Sequence, residues 1–163
     1  LPGRRTVAAV AIVLGLNDAL VELTGALAGY TYALQTSPLI AMVGLITGIA
    51  AALSMGASEY FSIKSEGGSQ DPLKASIYTG GVYMVTVFFL VLPYLLFSNY
   101  YLCLIVTLSG AVFLLFLFTF YLSVVRDIPF KRRFLEMAGV SLGVAGLSFF
   151  IGYLVRVFLN VEI

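Results

Sequence analysis

Hydrophobic residues along this chain form five long runs that are separated by short polar breaks. Each run is long enough to cross a bilayer, which takes about 20 residues in a helix. The runs lack the alternation of apolar and polar positions that β-barrel strands show. The breaks carry the proline, glycine, serine or asparagine that turns require. The pattern therefore predicts an all-α membrane protein with five transmembrane helices, at about 6–34, 38–64, 73–97, 101–125 and 134–159.

The breaks are too short to hold a soluble insert, even at 66–72. We therefore interpret residues 1–163 as a single five-helix membrane transport domain.

The positive charges predict how the helices are oriented. If the five runs alternate in direction, all lysines and arginines except Arg156 fall at one end of the bundle. Cytoplasmic loops carry an excess of these residues. The N-terminus is therefore expected in the cytoplasm and the C-terminus outside or in a lumen. The residues at the cytoplasmic end are Arg4, Arg5, Lys64, Lys74, Arg126, Lys131, Arg132 and Arg133.

The composition excludes several classes of function. Of 163 residues, 61% are hydrophobic and 10% are charged, whereas soluble domains carry about 25% charged residues. A net charge of +1 argues against a nucleic-acid partner. The chain has no histidine and one cysteine, Cys103, so it has no disulfide framework and no CxxC metal site. Without a nucleophile–base pair or a phosphate-binding loop, an enzyme is the least favoured class.

Three carboxylates lie inside the first two apolar runs, namely Asp18, Glu22 and Glu59. No lysine or arginine lies in 17–22 or 54–59, the short stretches that hold these acids. A carboxylate in hydrocarbon without a cationic partner costs a few kcal/mol or more. Each acid must therefore stay protonated, face a hydrated cavity or hold a cation, and these alternatives all point to ion handling. A purely structural role, with a protonated acid bonded to a neighbouring helix, is the competing interpretation.

The spacing of these acids predicts a metal path. Asp18 and Glu22 share one face of a helix because they are four residues apart, and so do Met55 and Glu59. Counting 1.5 Å per residue from 6 and from 64, Glu59 lies about 8 Å deep, Met55 about 14 Å, Asp18 about 18 Å and Glu22 about 24 Å. Carboxylates suit Mg, Mn or Fe(II), and a thioether favours softer first-row metals. Asn17 can add a neutral oxygen, so the candidate metal residues are Asn17, Asp18, Glu22, Met55 and Glu59.

Other polar and small residues are assigned structural roles. Glu136 is expected to pair with the neighbouring cations, and Cys103 to be a buried small hydrophobe. Small residues four apart predict close helix packing in lipid, and tyrosines near the outer ends of the runs are typical of an aromatic belt. The small residues are Gly44, Gly48, Ala52 and Gly56, with the pairs Gly25/Gly29 and Gly139/Gly143; the tyrosines are Tyr30, Tyr32, Tyr94, Tyr100 and Tyr101.

Two segments resemble motifs of the vacuolar iron transporter family. Residues 15–21 read G-L-N-D-A-L-V and are similar to the signature of that family's first helix. Residues 53–62 read L-S-M-G-A-S-E-Y-F-S and are similar to the signature of its second helix. Residues 92–95 are similar to the proline-containing end of its third helix.

The resemblance implies a homodimer that moves Fe(II), and often Mn(II), out of the cytosol in exchange for protons. Asp18 and Met55 match the family's intramembrane metal residues, and Glu59 matches the acid of the second motif. Glu22 stands where many members have serine or threonine, which adds a negative charge. The short 66–72 segment replaces the long acidic insert of plant-type members. Because the sequence begins at Leu1, a metal-collecting domain of ferritin-like type is expected before it.

The expected partners are divalent metal ions, protons, the lipid bilayer and a second copy of the chain. The metal is a substrate, and no cofactor is expected. Two alternatives remain, a passive divalent-cation channel and a membrane anchor or assembly module for an upstream soluble metal-binding domain. The expected location is the plasma membrane of a prokaryote, or the vacuolar membrane if the protein is eukaryotic.

Overall fold

Five helices follow one another in a computed structural model that describes the backbone of residues 4–161, and their side chains except at 4–8, 10–12, 14 and 18. They are α1 (Arg4–Leu34), α2 (Ser37–Glu66), α3 (Pro72–Leu96), α4 (Tyr100–Arg126) and α5 (Phe130–Leu159). No strand occurs within 4–161. Over the described residues, α2 to α5 are long and apolar enough to cross a membrane. The all-helical prediction is confirmed, with α2 to α5 as four candidate membrane spans and α1 as a fifth helix of 31 residues.

The helix ends follow the turn residues of the sequence. The side chain of Asp71 accepts hydrogen bonds from the backbone N–H groups of Leu73 and Lys74 at the start of α3. Gly67 ends α2 in the left-handed region, at φ 63°, where glycine has no Cβ penalty. The largest departure from prediction is at α5, which begins at Phe130 rather than near 134. The basic cluster there is therefore helical rather than part of a loop.

Helix α1 is the centre of the bundle, because it contacts each of the other four helices. Its residues Leu20 and Leu27 are fully buried. Its closest neighbour is α5, since a Cβ added at Gly25 would meet Val144 and one at Gly29 would meet the backbone of Ser148. The Gly25/Gly29 pair is thus used inside one copy of the chain.

Small residues also bring α2 and α3 together. A Cβ added at Gly48 would overlap Val87, and one at Gly56 would lie 3.3 Å from the carbonyl oxygen of Ser76. The Ser76 hydroxyl donates a hydrogen bond of 2.6 Å to the carbonyl of Gly56. The predicted small-residue row on α2 is therefore a packing row. Within the described residues, by contrast, nothing lies within 4 Å of a Cβ added at Gly143 on α5.

A buried polar cluster joins α1, α3 and α4 around Pro93. The Tyr94 hydroxyl lies 2.7 Å from Thr31 Oγ1, and the Thr107 hydroxyl donates to the carbonyl of Leu90 at 2.9 Å. The expected aromatic-belt position is wrong for Tyr94, which is 1% exposed. Cys103 is buried as predicted, and its thiol also donates to the carbonyl of Pro93.

Candidate metal site

The methyl end of the Met55 side chain lies against α1 at Gly15. A Cβ added at Gly15 would lie 2.7 Å from Met55 Cε. The Met55 methyl group therefore occupies the space that a side chain at position 15 would fill. This contact brings the second sequence motif onto the first.

Helical register shows which face of α1 the thioether touches. At about 100° per residue, positions 15 and 22 lie within about 20° of each other, and position 18 lies about 60° from position 15. Along the axis, Gly15 is about 4.5 Å from position 18 and about 10 Å from Glu22. Met55 therefore contacts the face of α1 on which both acids were predicted. The side chain of Asp18 itself lies outside the described residues.

Glu22 is an exposed carboxylate in the middle of α1. It forms no ion pair with any side chain that the structure describes. Its neighbours on the same face, Ala19 and Ala26, are small and only half-buried. In a single copy of the chain, this carboxylate faces outward from an apolar bundle.

Glu59 lies one helical turn beyond Met55 on α2 and is half-buried. The antiparallel course of α1 and α2 puts Glu59 about 6 Å from Met55 along the axis, away from Glu22. The carboxylates of Glu22 and Glu59 are therefore about 16 Å apart along the helix axis. Among the described side chains, no group of three or more His, Cys, Asp or Glu residues is close enough to hold a metal ion.

Asn17 points into the core rather than along the acidic face. It is 1% exposed, and helical register puts it about 140° around α1 from Glu22. Neither its amide nitrogen nor its amide oxygen has a hydrogen-bond partner among the described residues. The structure therefore does not bring Asn17 onto the face shared by Gly15 and Glu22.

Sequence reasoning missed three more buried polar groups. The hydroxyls of Thr24, Thr79 and Thr119 are buried and lack a partner within the described part of the chain. Buried polar groups usually carry at least one hydrogen bond, to protein or to ordered water. The spacing of seven residues between Asn17 and Thr24, which puts them on one face of α1, is the signal that could have drawn attention to them.

The acid at the start of α5 is engaged elsewhere. Glu136 pairs with Arg132 at 3.2 Å and with Arg133 at 3.9 Å. The predicted pairing of Glu136 with the neighbouring cations is confirmed, and this carboxylate is separate from the face of α1 that Met55 contacts.

Comparison with protein families adds to this geometry. The model of the VIT family matches residues 9–71, which span most of α1, all of α2 and the turn that follows. The match supports a member of the vacuolar iron transporter family. Both motifs at 15–21 and 53–62 lie inside it, so the predicted resemblance is confirmed. No curated protein and no solved structure matches the chain.

The match to this family suggests that the chain takes part in transport of metal ions across a membrane. Together with the apolar helices α2 to α5, the match supports an integral membrane protein. A transporter family is also consistent with the prediction that the chain is not an enzyme.

Proposed function

We propose that this protein exports divalent transition-metal ions, Fe(II) and also Mn(II), from the cytosol in exchange for protons. The path runs along the face of α1 that Met55 of α2 contacts, with the carboxylates of Asp18, Glu22 and Glu59 and the thioether of Met55 as its ligands. The membrane we propose is the plasma membrane of a prokaryote.

The contact of Met55 with Gly15 carries this proposal. The methyl group of Met55 touches the face of α1 that holds position 18 and Glu22, inside the segment that matches the VIT family, and this contact supports a soft sulfur ligand close to that face. Thioether and carboxylate ligands together favour Fe(II) over harder ions such as Mg(II). The carboxylates that release a metal ion are also groups that take up protons, which couples the two movements.

Liposomes that contain the purified full chain test the proposal. Fe(II) is supplied on one side under reducing conditions, with and without a pH gradient. We expect metal flux to depend on the gradient and to carry protons in the opposite direction. Equal flux after a protonophore collapses the gradient would indicate a passive channel. No flux under either condition would indicate a membrane anchor, and each result would overturn the proposed exchange.

We also propose that two copies of the chain assemble through the exposed face of α1. A carboxylate facing lipid is costly, and a second copy would cover Glu22. Gly25 is occupied by α5, so the contact is expected at Ala19, Glu22 and Ala26. Single cysteines at these positions, in a Cys103→Ala background, should crosslink in membranes. A cysteine at Leu147, which is exposed on α5, is the control; crosslinking there alone would refute this interface.

A further inference from the structure

Four cations lie together where α4 ends and α5 begins, and we call them the hairpin patch. They are Arg126, Lys131, Arg132 and Arg133. Arg126 is the last residue of α4, and the other three lie in the first turn of α5, which contains no acidic residue. The side chain of Arg132 is 83% exposed, and Arg126 and Lys131 are exposed as well.

The hairpin patch is only partly neutralised by the chain itself. Glu136 pairs with Arg132 and Arg133. Neither Arg126 nor Lys131 forms an ion pair with a side chain that the structure describes. Two exposed cations therefore remain open to a partner from outside the chain.

The other turn at this end of the bundle has a different charge balance. Around the α2–α3 turn, Lys64 and Lys74 are matched by Glu66 and Asp71, so two cations meet two anions. Around the α4–α5 turn, the hairpin patch has four cations against two carboxylates, those of Asp127 and Glu136. Positive charge is thus concentrated on one of two neighbouring turns.

Four aromatic rings lie beside the hairpin patch, on the side of the membrane-spanning segments, and those of Phe116 and Phe120 are exposed. Phe130 stacks on Phe134 with centroids 5.6 Å apart and an interplanar angle of 7°. Phe116 meets the edges of both rings, at 5.1 Å and 5.7 Å. Phe120, which is 57% exposed, packs against Phe130. The cations at the helix ends form one amphipathic surface with the exposed rings of Phe120 and Phe116, which lie about 9 Å and about 15 Å deeper along α4 than Arg126.

We propose that this surface binds an anionic phospholipid, with its phosphate on the hairpin patch and an acyl chain along Phe116 and Phe120. Clusters of lysine and arginine next to a membrane helix attract anionic headgroups, and the attraction falls off within a Debye length. A soluble anion would use the charges alone. A phospholipid uses the charges and the rings together, which is why the surface fits a lipid better than a soluble acidic partner.

The experiment compares variants of the full chain in nanodiscs of equal phosphatidylcholine and phosphatidylglycerol. The lipid that stays bound after mild detergent extraction is quantified by mass spectrometry. We expect the parent protein to retain phosphatidylglycerol in preference to phosphatidylcholine. In the double variant Arg126→Gln/Lys131→Gln, the ratio of retained phosphatidylglycerol to phosphatidylcholine should fall roughly tenfold. Lys64→Gln/Lys74→Gln removes the same charge from the neighbouring turn and should retain it.

Two further arms distinguish a bound lipid from a soluble anion and from an effect of overall charge. Phe120→Ala leaves every charge in place and should also weaken retention, whereas inorganic phosphate should not displace the lipid. Equal loss in the two double variants would mean that the cations act only through overall charge, as an orientation signal does. Equal loss in the two double variants would overturn the proposal. So would a parent protein that shows no preference for phosphatidylglycerol, a Phe120→Ala variant that retains as much lipid as the parent, or displacement of the lipid by inorganic phosphate.

Discussion

Two stretches of α1, residues 17–24 and residues 30–34, differ in how their polar side chains are partnered. In 17–24, Asn17 and Thr24 are buried with polar atoms that lack a partner among the described residues, and Glu22 is exposed. In 30–34, Tyr30 and Thr31 both have partners on other helices. Polar groups therefore change from unpartnered to partnered along a single helix.

The polar groups of residues 30–34 have partners on three other helices. The Tyr30 hydroxyl lies 3.2 Å from Thr47 Oγ1 of α2. Thr31 donates its hydroxyl proton to the carbonyl of Leu27 at 2.7 Å, so the hydroxyl of Tyr94 on α3 must be the donor in their 2.7 Å contact. From α5, the guanidinium of Arg156 lies near the carbonyl oxygens that end α1, where the helix dipole favours a cation.

The difference teaches how to tell structural polar groups from functional ones in an apolar bundle. A buried polar group without a partner costs about 1–3 kcal/mol, so the chain gains nothing structurally from Asn17 and Thr24 as they stand. Partnered groups such as Thr31 and Tyr94 fix the helices in place. We therefore expect water or a substrate to bind along residues 17–24 of α1 rather than along 30–34.

The largest effect is expected from Asp18→Asn, within the stretch 17–24 of α1. The amide has nearly the same shape but cannot neutralise a divalent ion, and burying it uncharged costs less than burying a charge. Metal flux in liposomes should fall about a hundredfold or to background, since loss of about 3 kcal/mol is two decades in affinity. The protein should remain folded.

Asp71→Asn is the matched control, because asparagine also caps helices. It makes the same chemical change at the exposed start of α3 and should transport like the parent protein. Transport by Asp18→Asn at the parent rate, at equal amounts of protein, would show that the acid in α1 is structural.

A smaller effect is expected from Gly15→Ala, which tests the Met55 contact directly. The added methyl group would meet the end of a flexible side chain, so the thioether should move while the fold stays. We expect Fe(II) transport to fall severalfold more than Mn(II) transport, because only the softer ligand is displaced. Met55→Leu should shift the ratio in the same direction, and the double variant should add little to either.

Gly143→Ala provides the control for this substitution, since a Cβ there meets open space within the described chain. It should leave the Fe(II)/Mn(II) ratio unchanged. If Gly15→Ala also leaves the ratio unchanged while Met55→Leu alters it, Gly15 does not position the thioether.

The sequence predicted the helices well because their signal is local. Helix ends are predicted from apolar runs and from the turn residues between them, both of which are features of a short segment. Most of the predicted ends lie within two residues of those in the structure. The start of α5 was missed because Lys131 and its neighbours resemble a loop by charge. Exposed cations at the end of a membrane helix are equally compatible with helical backbone, as Phe130–Leu159 shows.

The candidate site was predicted only in part because it depends on helix rotation. Register along α1 relates Glu22 to position 18, but nothing in the sequence shows how far α2 is turned toward α1. The contact of Met55 with Gly15 and the burial of Tyr94 beside Thr31 both depend on such rotations. Asn17 was assigned by its adjacency to Asp18, although adjacent helical residues point about 100° apart.

The smallest effect is expected from a pair of substitutions that each remove one hydroxyl from the core. Tyr94→Phe removes the donor to Thr31 and should lower the free energy of unfolding by about 1 kcal/mol or less. Thr24→Val removes a hydroxyl that has no described partner, so stability should stay the same or rise. Thermal unfolding in detergent measures both, and metal flux should not change in Tyr94→Phe. A clear loss of stability in Thr24→Val would show that this hydroxyl already has a partner, and the contrast between residues 17–24 and residues 30–34 of α1 would then not hold.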